Sequence, residues 1–211
     1  MNKVIQFSIT IQLITLFLLL GCGKYPPIVE NSDDIRKLSK EEPSVRARGL
    51  SDEHINALEH LRKLTYLDFT GGWATEEAKI TDKGLKILSE LDLPMIETLS
   101  LGYNVNITDS GTKYLVNMKS VKWLSLMVCP HITDIGLKNL SMMSTLDALD
   151  LRGCKGITNY GLNFLAEMKG IKQILLGGCD KITSDAVDKL QAKLPNAKVA
   201  KDEKEWSQHS K

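Results

Sequence analysis

Three of the four cysteines, Cys129, Cys154 and Cys179, lie 25 residues apart along the chain. Thiols in such a row could form disulfides or bind a metal ion. In-register neighbours on parallel strands project side by side, which suits packing better than bonding. The chain also has no Cys-x-x-Cys pair and no His-Glu-x-x-His arrangement. We therefore expect a buried ladder of free thiols, with no metal and no cofactor.

A row of carboxylates is the second arrangement that could support catalysis. Asp82, Asp109 and Asp134 each follow an Ile-Thr pair, and Asn159 and Ser184 stand at the same place in later blocks. Asp, Asn and Ser all cap helices, whereas a catalytic carboxylate would not be replaced so freely. We expect these residues to be helix caps. The chain also lacks a Gly-x-Ser-x-Gly elbow and a phosphate loop, so we expect no catalytic residues and no enzyme.

These residues belong to a repeat with a period of 25 residues. Each block has apolar residues at alternate positions, then Cys or Asn, then Ile-Thr and a helix-type pattern. The Cys or Asn position is held by Asn104, Cys129, Cys154 and Cys179. A strand and a helix in a period of roughly 20–29 residues are typical of a leucine-rich repeat solenoid.

The repeat pattern also indicates where the domain begins and ends. Residues 49–200 are predicted to form one repeat domain of about five repeats plus caps, followed by a charged tail at 201–211. Residues 50–61 read as a cap helix without a preceding strand, and residues 71–79 read as an insertion in the first block. Insertions in solenoids map to loops on one face, often the binding face.

The string Cys-x-x-Ile-Thr-Asp-x-Gly-Leu resembles the cysteine-containing subfamily of leucine-rich repeats, best known from F-box ubiquitin-ligase receptors. The resemblance implies an α/β fold, a right-handed solenoid with a parallel inner β-sheet and outer helices. Such a solenoid offers a surface to partners far more often than a catalytic centre. The alternative function is a substrate-recognition receptor of an F-box-like ubiquitin ligase system. Its distinguishing feature is an F-box, and residues 23–48 are too short and too polar to supply one.

The string Leu-Leu-Gly-Cys that ends at Cys22 resembles the lipobox of bacterial lipoproteins. The resemblance implies that residues 1–21 are a signal peptide and that Cys22 is acylated, which would anchor the protein to a membrane. Because Gly23 rather than Asp follows, it also implies the outer membrane in a Gram-negative cell envelope. An uncleaved transmembrane anchor and an ordinary secretory signal are the other interpretations. Residues 22–48 are predicted to be a lipid-anchored tether.

The expected partner is another protein, with a surface polymer as the alternative ligand. A formal net charge of +1 gives no reason to expect nucleic acid. Side chains between the strand leucines are predicted to face the concave side, with exposed aromatics among charged groups, as in interface hot spots. The candidate partner-binding residues are Tyr66, Asp68, Trp73, Tyr103, Trp123, Met127, Asp150 and Arg152. The alternatives are that Trp123 is surface filler and that Trp73 covers the end of the core.

Overall fold

The alternating apolar residues of each block form short parallel strands. The structure is a computed structural model that describes residues 26–71 and 80–201. Within these residues eight strands form one parallel sheet whose order follows the chain. The strands are β1 (Ile28–Val29), β2 (Ser44–Ala47), β3 (Tyr66–Asp68), β4 (Thr98–Ser100), β5 (Trp123–Ser125), β6 (Ala148–Asp150), β7 (Gln173–Leu175) and β8 (Lys198–Ala200). The repeat is kept in register, so that Leu99 lies opposite Leu124.

A helix connects each strand to the next and packs beside the helix of the neighbouring repeat. The helices are α1 (Ser32–Lys37), a 3₁₀ helix (Asp52–His60), α2 (Asp82–Glu90), α3 (Asp109–Leu115), α4 (Asp134–Leu140), α5 (Leu162–Leu165) and α6 (Ser184–Lys193). Every parallel pair needs such a crossover. The result is an open sheet with helices alternating along it.

The core lies between the sheet and the helices. The central residue of each three-residue strand, β3 to β8, points into it. Leu124 and Leu149 are fully buried there together with Leu137 and Leu140 of α4. Successive strand side chains alternate between the two faces. The residues on either side of each central leucine or isoleucine therefore point away from the helices. This surface, predicted above as the concave side, is called the outer sheet face.

The tether predicted at residues 22–48 is wrong for most of its length. Residues 28–47 form β1, α1 and β2. Val29, Ile35 and Val45 are buried in the common core. The strand β2 also precedes the 3₁₀ helix, which was predicted to lack one. These elements escaped detection because a two-residue strand and a polar single-turn helix are too short to show periodicity.

Several predictions concern residues outside the described ranges. These are the signal peptide at 1–21, Cys22, the inserted residues 72–79 and the tail from 202 to 211. Among the described residues, no helix has both the length and the apolar composition that crossing a bilayer requires.

Candidate functional site

The three repeated cysteines are free and buried. Each thiol lies near the carbonyl oxygen of the leucine that directly follows the strand of the preceding repeat. The Sγ of Cys154 is 3.1 Å from the oxygen of Leu126, and the Sγ of Cys179 is 3.2 Å from that of Leu151. Burial raises the pKa of Cys129 to about 12 and the pKa of Cys179 to about 11, so both thiols stay protonated at neutral pH.

Asn104 takes the same place at the start of this ladder and is buried. Its Nδ2 donates to the carbonyl oxygen of Phe69 at 2.8 Å and to that of Leu101 at 2.9 Å. The amide and the thiols thus give buried carbonyl groups beyond the strand ends a side-chain donor. The oxygens of Leu126 and Leu151 also accept from the backbone N–H groups of Cys129 and Cys154. The described residues contain no cluster of His, Cys, Asp or Glu that could hold a metal ion. The ladder is structural.

The repeated aspartates do not cap their own helices, contrary to the sequence prediction. The N-cap of α3 is Thr108, whose Oγ1 accepts from the backbone N–H of Ser110 at 3.1 Å. The carboxylate of Asp82 instead reaches the next repeat, where it accepts from the backbone N–H of Thr108 at 2.8 Å and from its hydroxyl at 2.6 Å. The same joint links Asp52 to Thr81, Asp109 to Thr133 and Asp134 to Thr158, and Asn159 accepts from the Thr183 N–H.

The glycine of the Thr-Asp-x-Gly string makes room for this joint. A Cβ on Gly111 would lie 2.3 Å from Oδ1 of Asp82, and one on Gly136 would lie 2.5 Å from Oδ1 of Asp109. Atoms cannot approach so closely without displacement. Ala186 holds this place only in the last repeat, where the facing residue is Asn159. The recurring carboxylates therefore act as joints between repeats.

The predicted exposed patch on the outer sheet face is largely buried. The relative exposure is 4% for Tyr66, 7% for Asp68, 6% for Met127 and 1% for Asp150. The prediction of a broad exposed aromatic patch ringed by these carboxylates was therefore wrong.

Trp123 remains partly exposed on this face. Its cross-strand neighbours are Thr98 on β4 and Ala148 on β6. Both are smaller than an indole. Tyr103, at the end of β4, is also partly exposed. Burial raises the pKa of Tyr103 to about 12, with opposing effects of Arg152, which lowers it, and Asp150, which raises it.

A bidentate ion pair lies near Tyr103. Arg152 donates from Nε to Oδ1 of Asp150 at 2.9 Å and from Nη2 to Oδ2 at 2.8 Å. The hydroxyl of Ser125 lies 3.4 Å from Oδ2 of the same carboxylate. The Asp150 side chain is 2% exposed and the Arg152 side chain 20%. The pair thus holds the guanidinium in a fixed position at the surface.

The buried end of the face is also hydrogen-bonded. Asp68 accepts from the backbone N–H of Thr70 at 2.8 Å, and the hydroxyls of Thr70 and Ser100 lie 2.7 Å apart. The pKa of Tyr66 is raised, mainly by burial and then by the negative charge of Asp68. Of the predicted residues, Trp123, Tyr103 and Arg152 therefore remain partly exposed, and we call these three residues the accessible site, while Trp73 lies outside the described residues.

Sequence reasoning missed a backbone feature that follows the strands. The fourth residue after the inward-pointing strand residue has a positive φ in five repeats. These residues are Gly49, Tyr103, Val128, Gly153 and Gly178. A β-branched residue is strained there. The three glycines at equal repeat positions were the available signal. The strain at Tyr103 and Val128 lies along the rim of the accessible site.

Comparisons with known proteins agree with this architecture. A family model described as "Leucine Rich repeat" matches residues 92–116. A chain in the crystal structure of the yeast Rad7 and Elc1 complex is similar at 16% identity with a TM-score of 0.57, covering 82% of this chain and 46% of that chain.

Two internalins of Listeria monocytogenes are also similar. Internalin inlF has 17% identity and a TM-score of 0.46, covering 80% of this chain and 52% of its own. Internalin C2 has 16% identity and a TM-score of 0.48, covering 83% and 77%. No curated protein matches the sequence.

The fold is an α/β leucine-rich repeat solenoid. The chain spans less than half the length of the yeast chain that it resembles. A sequence identity this low shows a shared fold and does not transfer the activity of the yeast protein to this chain. Leucine-rich repeats of this kind suggest a scaffold for protein–protein interaction, and proteins built from them are generally binding scaffolds rather than enzymes.

Proposed function

We propose that this protein is a lipid-anchored extracytoplasmic leucine-rich repeat protein that binds a protein partner through the outer sheet face. The observation that carries the proposal is the partly exposed indole of Trp123 between Thr98 and Ala148. An aromatic ring held on a rigid strand offers a large contact area at little cost in conformational entropy. Trp123 is the anchor around which we expect the partner to pack.

The Asp150–Arg152 pair supports this assignment because Asp150, on the same sheet face, orders a second residue type that is common at hot spots. Arginine and tryptophan are both enriched among residues that dominate binding energies. The carboxylate of Asp150 already neutralises the guanidinium of Arg152. A partner that buries Arg152 therefore need not supply a negative charge of its own. We expect a contact surface of mixed apolar and polar character rather than a strongly acidic partner.

The proposed location is the bacterial cell envelope, with Cys22 acylated and the outer membrane as the site in a Gram-negative cell. Support comes from the Leu-Leu-Gly-Cys string after an apolar leader and from Gly23. Two acyl chains on one cysteine would be sufficient for stable anchoring. Replacing Cys22 with Ala should release the protein from the membrane fraction, and the mass of the N-terminal peptide of the wild-type protein should include the acyl groups. An unmodified Cys22 would contradict the anchor.

Partner binding is tested by crosslinking and capture from native membranes with three proteins: wild type, Trp123→Ala and Tyr160→Ala. Tyr160 is the matched control, because it is an aromatic residue that is 66% exposed beside the helices. The wild type and the control should capture the same partner, and Trp123→Ala should lose it while keeping the same melting temperature. Equal capture by all three proteins would exclude Trp123 as the anchor, and selective loss with Tyr160→Ala would move the binding site to the helices.

A further inference from the structure

We infer that the anchored protein is held at the membrane by its first strand, with the N-terminal edge of the sheet against the lipid headgroups and β8 pointing away. The inference rests on the proposed acylation of Cys22. Because β1 begins at Ile28, the segment between Cys22 and the folded domain is much shorter than the tether predicted at residues 22–48. We call this segment the connection. Six peptide steps separate Cys22 from Ile28. A fully extended chain of that length spans at most about 20 Å.

The short connection ends in residues that are firmly part of the fold. The carbonyl oxygen of Pro27 accepts from the backbone N–H of Arg46 at 2.9 Å, and that of Val29 accepts from Arg48 at 2.8 Å. Val29 is 1% exposed. The strand β1 therefore cannot peel away to lengthen the connection without breaking sheet hydrogen bonds and exposing a core side chain.

The sheet order decides what lies near the bilayer and what lies far from it. The eight strands lie in the sheet in their chain order, from β1 at one edge to β8 at the other. Seven spacings of about 4.8 Å place β8 roughly 34 Å from β1. Because the connection is attached at one end of this row, the excluded volume of the bilayer favours orientations in which β8 is the distant end. Trp123 on β5 is then about 19 Å beyond β1.

The surface at the near end fits a hydrated headgroup layer rather than the hydrocarbon interior. The helix α1 has an exposed ion pair between Arg36 and Asp33, and Lys37 and Lys40 are also exposed. Among the described residues of this edge, Ile28 is the exposed large apolar residue, at 44%. Mixed charges with a single apolar side chain favour contact at the level of zwitterionic headgroups without insertion.

Energy transfer in vesicles tests this orientation. The acylated protein, with a donor dye on Lys40→Cys near β1 or on Asn196→Cys before β8, is reconstituted into phosphatidylethanolamine and phosphatidylglycerol vesicles that contain headgroup-labelled acceptor lipid. Both positions are exposed, and the native thiols of the repeats are buried and should not react. A matched pair of proteins has ~20 Gly and Ser residues inserted after Lys24, which lengthens the connection into a flexible coil.

With the native connection, transfer from the Lys40→Cys site should exceed that from the Asn196→Cys site at least twofold, and the inserted linker should bring the ratio close to one. Equal transfer from the two sites with the native connection would overturn the orientation while leaving the lipid anchor intact. Failure of the protein to float with the vesicles, together with an unmodified Cys22, would overturn the anchor itself and the orientation with it.

Discussion

The carboxylate of Asp109 lies across a repeat boundary from Thr133, with Oδ1 2.8 Å from the backbone nitrogen and Oδ2 2.6 Å from the hydroxyl oxygen. Thr133 is the N-cap of α4, so its own side chain is already engaged with the first turn of that helix. One residue of each repeat thus fixes the start of the next helix. Stacking in a solenoid depends on such nearest-neighbour contacts.

Replacing Asp109 with Ala should lower the free energy of unfolding by about 1–3 kcal/mol, because a partly buried N–H and a hydroxyl both lose their acceptor. Asp185→Ala is the matched control, since the Asp185 side chain is exposed and pairs with Lys189 on the surface of the same helix. Exposed pairs of this kind contribute roughly 0–1 kcal/mol. Urea titrations of both variants measure the difference, and equal midpoints would show that the joint contributes nothing.

The space for the joint can be tested separately. Gly136→Ala should destabilise the protein, because the new Cβ would lie 2.5 Å from Oδ1 of Asp109 and 3.1 Å from Cγ2 of Ile132. We expect a loss of about 1–3 kcal/mol from overpacking. Gly170→Ala serves as the control, since nothing lies within 4 Å of the place that its new Cβ would take. A melting temperature unchanged in Gly136→Ala would mean that the neighbouring repeat shifts freely.

The thiol ladder should make stability depend on alkaline pH. In the unfolded chain Cys129 ionises near its ordinary pKa of 9.0, whereas in the folded protein burial raises the pKa to about 12. The unfolded state therefore binds fewer protons between these values, and the stabilisation present below pH 9 is lost as the pH rises through that window. The loss for one thiol is up to about 1.4 kcal/mol per pH unit.

This dependence is isolated by comparing wild type with Cys129→Ala, since all other titrating groups are shared. The difference in unfolding free energy between the two proteins should be constant from pH 7 to 9 and should then shift steadily against the wild type. Parallel curves above pH 9 would show that this thiol ionises equally in both states.

Much of the fold was predictable because the 25-residue period places equivalent residues in register. The strand leucines, the Cys and Asn ladder and the alternating helices all follow from that period and from two-residue alternation. The strand β1 was not predictable, because Ile28 and Val29 alone carry no pattern. The role of Asp109 was missed because its partner lies 24 residues away, on a different helix.

The candidate site was predicted less well than the fold. Strand alternation placed Tyr66 and Trp123 on the same face, which the structure agrees with. Tyr66 is buried and Trp123 is partly exposed, although both have small in-register neighbours. Alternation along one strand assigns a residue to a face and does not determine its exposure. The accessible site therefore consists of fewer residues than predicted, centred on Trp123.

Val128 is expected to be a source of strain at the rim of this site. Its φ of 56° lies in the left-handed region, where glycine stands at the same position in the next two repeats. For an L-residue that conformation costs roughly 1–2 kcal/mol, and asparagine tolerates it better than a β-branched residue. Val128→Asn should therefore raise the free energy of unfolding by about 1 kcal/mol, or the melting temperature by about 2–4 °C for a domain of this size.

The reverse change, Gly153→Val, should destabilise the protein. It would introduce the same strain at a φ of 73°, and its Cβ would lie 2.9 Å from Cγ2 of Val128. Thermal unfolding of both variants tests the assignment. If Val128→Asn melts below the wild type, the packing of the valine side chain outweighs the backbone strain. If it melts above the wild type but captures less partner, the strained rim is retained for binding at the expense of stability, as is common where strain gathers at functional sites.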